Sequence, residues 1–212
     1  MPRTVDHDER RTQIIAGLIR VAARVGLHAV SLRSVAAEAG VSLRLVQYYF
    51  ESKAELMHAA LRHLERQSHA RWAARLARLP DPPTARAFVA AFLDEALPTD
   101  EPSRTFHRVF TSYAVLAMTA PDLAEQPFNA GPTRLERQLA DMLRSAQADG
   151  ELSADRDASA EAARLVTITH GLGTSVLMGQ RSVEAARAVL RYHLDRLFRA
   201  PAAAAVPSPR SG

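Results

Sequence analysis

The sequence predicts an all-α fold of about nine helices, divided into a small N-terminal part and a larger helical part. Three observations predict it. Ala, Leu, Arg and Glu dominate, and Val, Ile and Thr never alternate over a stretch long enough for a strand. Apolar residues recur at helical spacing, as at Ile14, Ile15, Leu18, Ile19 and Ala22. Glycines, prolines and hydroxyl residues punctuate these runs where helices should stop and start.

The first helix spans about Asp8 to Val25 and stops at Gly26. A short second helix runs from about Leu32 to Ala39, with Ser31 as N-cap and Gly40 just past its end. A third covers about Leu43 to Tyr49, with Ser42 as N-cap. The fourth opens at Ser52, where Ser52 and Glu55 make an S-x-x-E capping box, and runs through Leu56, Leu61, Leu64 and Trp72 to about Leu79. Pro80, Pro82 and Pro83 break the chain there. Further helices are expected over 84–97, 102–119, 132–149, 157–179 and 182–199, separated by Pro98, Pro121, Gly131-Pro132 and Gly150. The tail, 201–212, is Ala, Pro and Ser with one Arg and reads as disordered. This divides the chain at 1–53, 54–200 and 201–212.

Composition narrows the function. There are 212 residues, 47% of them hydrophobic, which suffices for a sizeable core. The absence of cysteine excludes disulfides, thiolate metal sites and cysteine nucleophiles. No apolar run approaches the ~20 residues of a membrane span, and the charged start, Met1 to Arg11, is unlike a secretory signal. A cytoplasmic location without membrane contact is expected. The net charge is +4, and its placement is uneven. Residues 1–53 hold eight basic and five acidic side chains, whereas residues 54–200 hold 18 of each. A local basic excess suits a polyanion, although so small an excess equally suits a solvated face.

Two short helices joined by Gly40-Val41-Ser42 have the form of a helix-turn-helix. Val35, Ala36, Ala39, Val41 and Val46 would close the angle between them, and Gly40 would reverse the chain. The outward positions of the third helix are then Ser42, Leu43, Arg44, Gln47 and Tyr48. Arg and Gln are base-reading side chains, and such a helix fits the major groove of double-stranded DNA. On spacing alone, a plain helical hairpin on a bundle surface is the other reading.

The segment Gly26 to Leu56, GLHAVSLRSVAAEAGVSLRLVQYYFESKAEL, resembles the DNA-binding domain of the TetR family of bacterial regulators. The matching elements are Gly40-Val41-Ser42, the aromatic run Tyr48-Tyr49-Phe50, and Glu51-Ser52-Lys53 opening the fourth helix. The resemblance implies a helix-turn-helix domain, a helical ligand-binding and dimerisation domain, and a homodimer on a palindromic operator. It implies a repressor released by a small-molecule effector; an activator is the alternative. It places Arg33 on a base or phosphate, and Tyr48 and Lys53 on backbone phosphates. Gln47 stands where the family usually has Tyr; a Gln best suits adenine.

The run Gly171 to Leu197 is similar to the BetI-like branch of that family. The last two helices carry an apolar stripe at Leu165, Ile168, Leu172, Val176, Val183, Val189, Leu190, Leu194 and Leu197. This stripe is either the dimer interface or ordinary core, and the paired half-sites of such regulators favour the interface. Candidate cavity residues are Trp72, Phe88, Phe92, Phe106, His107, Phe110, Tyr113, Met142, His170 and Thr174. Aromatics among a few convergent polar groups suit a small-molecule site, although any one of them alone suits core better than pocket, since aromatics at helical spacing mostly pack. The fourth helix is expected to be the only physical link between the two parts, and so the lever of any switch.

Catalysis finds no support. No Gly-rich phosphate loop, nucleophile elbow or HExxH is present, and the eight histidines form no i, i+4 pair with a carboxylate at metal spacing. No cofactor is expected. A non-specific architectural DNA binder would be far more basic.

Overall fold

Ser31, Ser42, Ser52, Thr84, Asp100, Asp157 and Ser182 each accept a backbone N–H from the first turn of the helix that follows. Caps of this kind contribute about 1 kcal/mol each and set where helices begin. The computed structural model describes residues 3–119 and 130–199, with side chains from residue 7 onward. The expectations for Pro121 and for the 201–212 tail lie outside them. The described residues form nine α-helices and no strand. They are α1 (Arg3–Val25), α2 (Leu32–Ala39), α3 (Leu43–Tyr49), α4 (Lys53–Leu76), α5 (Ala85–Glu95), α6 (Glu101–Ala117), α7 (Gly131–Ala148), α8 (Ala158–Leu177) and α9 (Val183–Leu197). A 3-10 turn, Leu27–Ala29, joins α1 to α2.

Two local expectations change. Helix α1 opens at Arg3 rather than Asp8, because its first turns are polar and carry no apolar period. The Ser52–Glu55 box is not reciprocal: Ser52 Oγ accepts from Glu55 N–H, but the Glu55 carboxylate accepts from Glu51 N–H at 2.9 Å. Reciprocal boxes form instead at Ser31/Ser34 and Asp100/Ser103, where a serine at the third helical position reaches back.

Two apolar cores organise the chain. The first joins α1, α2, α3 and the first three turns of α4, with Ile14, Leu18, Val35, Val46, Phe50, Leu56 and Leu61 fully buried. Helix α2 lies so close to α1 that a side chain at Gly17 would meet Ala39 Cβ at 2.9 Å, so glycine is required there. Gly40 takes φ +67°, the left-handed turn between α2 and α3. Gln13 Nε2 donates to Ala39 O at 2.7 Å, satisfying a carbonyl at the end of α2. The boundary expected at residue 53 therefore differs from the packing: Leu56, Met57, Leu61 and Leu64 belong to the N-terminal core.

The second core joins α5, α7, α8 and α9 around Val89, Leu97, Leu139, Leu143, Leu165 and Leu197. Helix α6 bridges the two. Its Val109 and Tyr113 are fully buried in the first core, and it packs against α1, the 3-10 turn and α8. Helix α4 is thus not the only link between head and body. No helix among the described residues is long and apolar enough to cross a membrane.

Candidate nucleic-acid interface and ligand cavity

The head offers two kinds of cation. Arg20 Nε and Arg24 Nη2 both bind the Glu38 carboxylate, at 2.8 and 3.0 Å, which fastens α1 to α2. Those two guanidinium groups hold the Glu38 carboxyl below its ordinary range, the Arg20 bond foremost. Arg11 lies over the Phe50 ring at 4.6 Å and near Glu55. Arg33, Arg44 and Lys53, by contrast, are exposed and have no carboxylate partner among the described residues. Exposed cations with no internal partner are available to a polyanion.

Of the expected DNA contacts, Ser42, Arg44, Gln47, Tyr48 and Lys53 lie exposed on α3 or at the start of α4, and Arg33 is exposed on α2. Tyr48 is 74% exposed, its ring edge-on to that of Tyr49 at 5.4 Å. The Ser42 hydroxyl accepts from Leu45 N–H at 3.1 Å, so it caps α3 as well as facing outward. Leu43 differs from expectation: it is half-buried and packs against the head core. Tyr49 is half-buried against the head core, its ring 4.6 Å from that of His7.

In the body, a cavity of about 280 Å³ opens between α4, α5, α6, α7 and α8. Trp72, Phe92, Phe106, His107, Phe110 and His170 line it. Phe88, Tyr113, Met142 and Thr174 do not. Phe88 stands edge-on to Trp72 behind the wall, Met142 packs on the second core, Tyr113 is sealed in the first, and Thr174 is exposed on α8. Helix rotation separates these residues from their neighbours: Tyr113 is three positions from Phe110 but points to the head.

Sequence reasoning missed the cavity's polar wall. Glu65, Ser68 and His69 line it with Trp72, a stripe on α4 at helical spacing. That spacing was a usable signal, but charged residues on a long helix read as a wet face. Arg71, Glu95, Leu135 and Gln138 carried none. Glu95 accepts from Arg71 Nε and Arg75 Nε, both at 3.1 Å, and Glu65 is bound by Arg134. Burial, the neighbouring His170 and the Arg71 charge push His107 down to about 4, against a bond to the Ala96 carbonyl. Burial lowers His170 as well. Both are neutral near pH 7. Among the described residues no group of three or more His, Asp or Glu is placed to hold a metal.

The stripe expected at a dimer interface is mostly internal. Leu165, Val176, Leu190, Leu194 and Leu197 are buried in the chain's own core, with Ile168, Leu172 and Val183 packed against it and Val189 half-buried. The opposite faces of α8 and α9 are open: Thr167, Gly171, Thr174 and Met178 on one, Ala188 and Tyr192 on the other. Met178 and Tyr192 are 65% and 56% exposed.

A helix-turn-helix with uncommitted cations, carried on a helical body with an aromatic-lined cavity, defines a DNA-binding transcriptional regulator. The chain belongs to the TetR family of bacterial regulatory proteins, whose N-terminal model matches residues 14–60. The model for the BetI-type transcriptional repressor C-terminal domain matches residues 85–199. The regulator PksA of Bacillus subtilis is 26% identical over 180 residues, 84% of this chain and 83% of that protein. The regulator BetI of Burkholderia mallei is 37% identical over 97 residues, 45% of this chain and 50% of that protein. A regulator from Saccharomonospora viridis, solved in complex with choline, aligns with TM-score 0.77 and 28% identity, covering 89% of this chain and 95% of that one. A regulator from Rhodococcus aligns with TM-score 0.73 and 27% identity, covering 88% and 95%. These relatives are regulators rather than enzymes.

Proposed function

We propose that this regulator is a cytoplasmic homodimeric repressor that holds a palindromic operator and releases it when a small molecule enters the body cavity. The observation that carries this reading is the position of α6. Its Phe106 and Phe110 line the cavity, while its Val109 and Tyr113 sit in the core of the reading head. A ligand that moves α6 therefore moves the helix that reads DNA. The body model of the BetI repressor type and the choline complex of a similar regulator support repression and a small-molecule effector.

The roles divide by exposure and chemistry. Arg44 and Gln47 read base edges from α3, while Arg33, Tyr48 and Lys53 hold phosphates. Ser42 faces the groove at the helix N-terminus. The dimer forms through the open faces of α8 and α9, placing two α3 helices in successive major grooves about 34–36 Å apart.

The test is binding to the palindrome nearest the coding sequence, read by fluorescence anisotropy against random DNA at fixed salt. Preference for the palindrome by ~1000-fold is expected. Equal affinity for random DNA would overturn site-specific regulation. A promoter–reporter fusion separates repression from activation: deleting the gene should raise expression.

A further inference from the structure

Resting on the cavity as the effector site, we propose that it takes a small carboxylate with an apolar body, and that Arg71 binds the carboxylate. Arg71 lines the cavity from α4, its side chain 25% exposed. It reaches Glu95 through Nε alone, at 3.1 Å. Its two terminal nitrogens carry the remaining donors of the guanidinium and bond nothing among the described residues. Such a fork matches a carboxylate through paired, charge-assisted hydrogen bonds. The surrounding charges lean the same way. Glu95 also accepts from Arg75 Nε, Arg75 binds Asp94 at 2.7 Å, and Asp94 binds Arg187 at 2.8 Å. Arg71, Arg75 and Arg187 thus stand against Glu95 and Asp94 alone. Glu65, the other carboxylate of the wall, is bound by Arg134. Asp100 lies near Arg71 and Arg75, but its carboxylate accepts from Ser103 N–H at 2.8 Å at the α6 N-terminus and bonds neither arginine among the described residues. An entering carboxylate meets an open fork, whereas an entering ammonium meets carboxylates that arginines already hold.

The apolar end has its own wall. Phe106 and Phe110 lie nearly parallel on α6, at 9° with centroids 6.1 Å apart. Trp72 and Phe92 stand edge-on, with centroids 6.5 Å apart, between α4 and α5. Aromatic faces hold an apolar group by contact area. The charge of Arg71 reaches His107, the neighbour of Phe106, so the fork stands beside the aromatic wall. The volume, about 280 Å³, is at the small end of ligand cavities, which run to roughly 300–1,000 Å³, and suits one compact body. A carboxylate on Arg71 with its body on Phe106 and Phe110 joins α4 to α6, the two helices that enter both the cavity wall and the head core.

Three probes of one shape and different charge test this: 3,3-dimethylbutanoate, 3,3-dimethylbutan-1-ol and choline. Each is titrated into the full chain near pH 7.5 at fixed ionic strength, with calorimetry as readout and the fluorescence of Trp72, the sole tryptophan, as a second. The carboxylate should bind at least about tenfold more tightly than the alcohol or choline. In Arg71→Gln it should fall to within about threefold of the alcohol, whose own affinity stays nearly constant. Should that variant not fold, Arg71→Lys, which keeps the charge without the fork, should lose at least about threefold on the carboxylate alone. Arg75→Gln also removes a Glu95 partner but lies outside the cavity wall, and should keep the preference. Alcohol or choline binding within tenfold of the carboxylate, or above it, overturns the charge preference and leaves the cavity reading intact. A preference that survives Arg71→Gln, or that is lost equally in Arg75→Gln, overturns the role of Arg71. Binding of none of the three at millimolar concentration overturns this proposal. Binding that survives both Leu135→Trp and Gln138→Trp overturns the cavity reading and this proposal with it.

Discussion

The Leu27 backbone N–H donates to Ser112 Oγ at 2.7 Å, 85 positions along the chain, and so ties the 3-10 turn of the head to α6. Leu27 itself is 1% exposed. Ser112 lies two positions beyond the cavity residue Phe110, on the same helix. Ser112→Ala leaves that N–H without its partner and should cost about 1–2 kcal/mol of stability. It should also weaken communication: more effector should be needed to release the operator at unchanged effector affinity. Thermal melting and an effector titration of the DNA complex check the two effects separately.

Cavity access should control induction without touching DNA. Leu135→Trp fills the space from α7 and should abolish release while operator affinity stays nearly constant. A 100-fold loss of DNA affinity on induction corresponds to about 2.7 kcal/mol of coupling, and the operator must weaken effector binding equally. Release of DNA from Leu135→Trp at the normal effector concentration would place the effector elsewhere.

Base reading and phosphate holding have different signatures. Arg44→Ala and Gln47→Ala should each cost about 1–3 kcal/mol on the operator and relax preference at one base pair. Lys53→Ala should weaken all sequences alike and lower the salt slope by about one unit. Anisotropy at several salt concentrations, on operator and random DNA, distinguishes these outcomes.

The assembly test falls on Gly171. A Cβ there meets nothing within 4 Å inside the chain and the position is exposed, so Gly171→Arg should spare the subunit. In a helix interior it also removes a propensity penalty of about 1 kcal/mol. At a dimer face the same substitution inserts an unpaired charge. Light scattering should find the wild type dimeric at micromolar concentration and Gly171→Arg monomeric with unchanged far-UV circular dichroism. Leu172→Arg would damage the internal core as well and so could not separate the two effects.

Acid should loosen the body before it protonates Glu38 of the head, whose carboxyl is held down by Arg20 and Arg24. The unfolded chain binds a histidine proton near 6.5, whereas folded His107 resists it until about 4. Stability is therefore full above about 6.5 and falls as pH drops toward 4. The loss from this residue is on the order of 2 kcal/mol, allowing for solvent at the cavity mouth. His107→Asn should flatten the melting temperature across that window. A profile as steep as the wild type's would assign the loss to other groups.

The sequence by itself determined the helices, because caps, periodicity and breakers act within a few residues. Ser31, Ser42 and Ser182 open helices where their spacing says they should. It also determined the outward face of the reading helix, since Gly40-Val41-Ser42 and Val46 set its rotation locally, Leu43 excepted. What only the tertiary structure decided is which face meets which neighbour over long separations. Periodicity tells that Leu165, Leu190 and Leu197 share a buried stripe; it does not tell whether the stripe closes on its own chain or on a copy, because both bury the same apolar area. Tyr113 and Phe110 carry the same local signal, yet one seals the head and the other lines the cavity. The Glu95 pairs with Arg71 and Arg75, and the Leu27–Ser112 bond, join residues 20 or more positions apart. Nothing in the chain near either partner specifies the other; the packing angle of α4, α5 and α6 does.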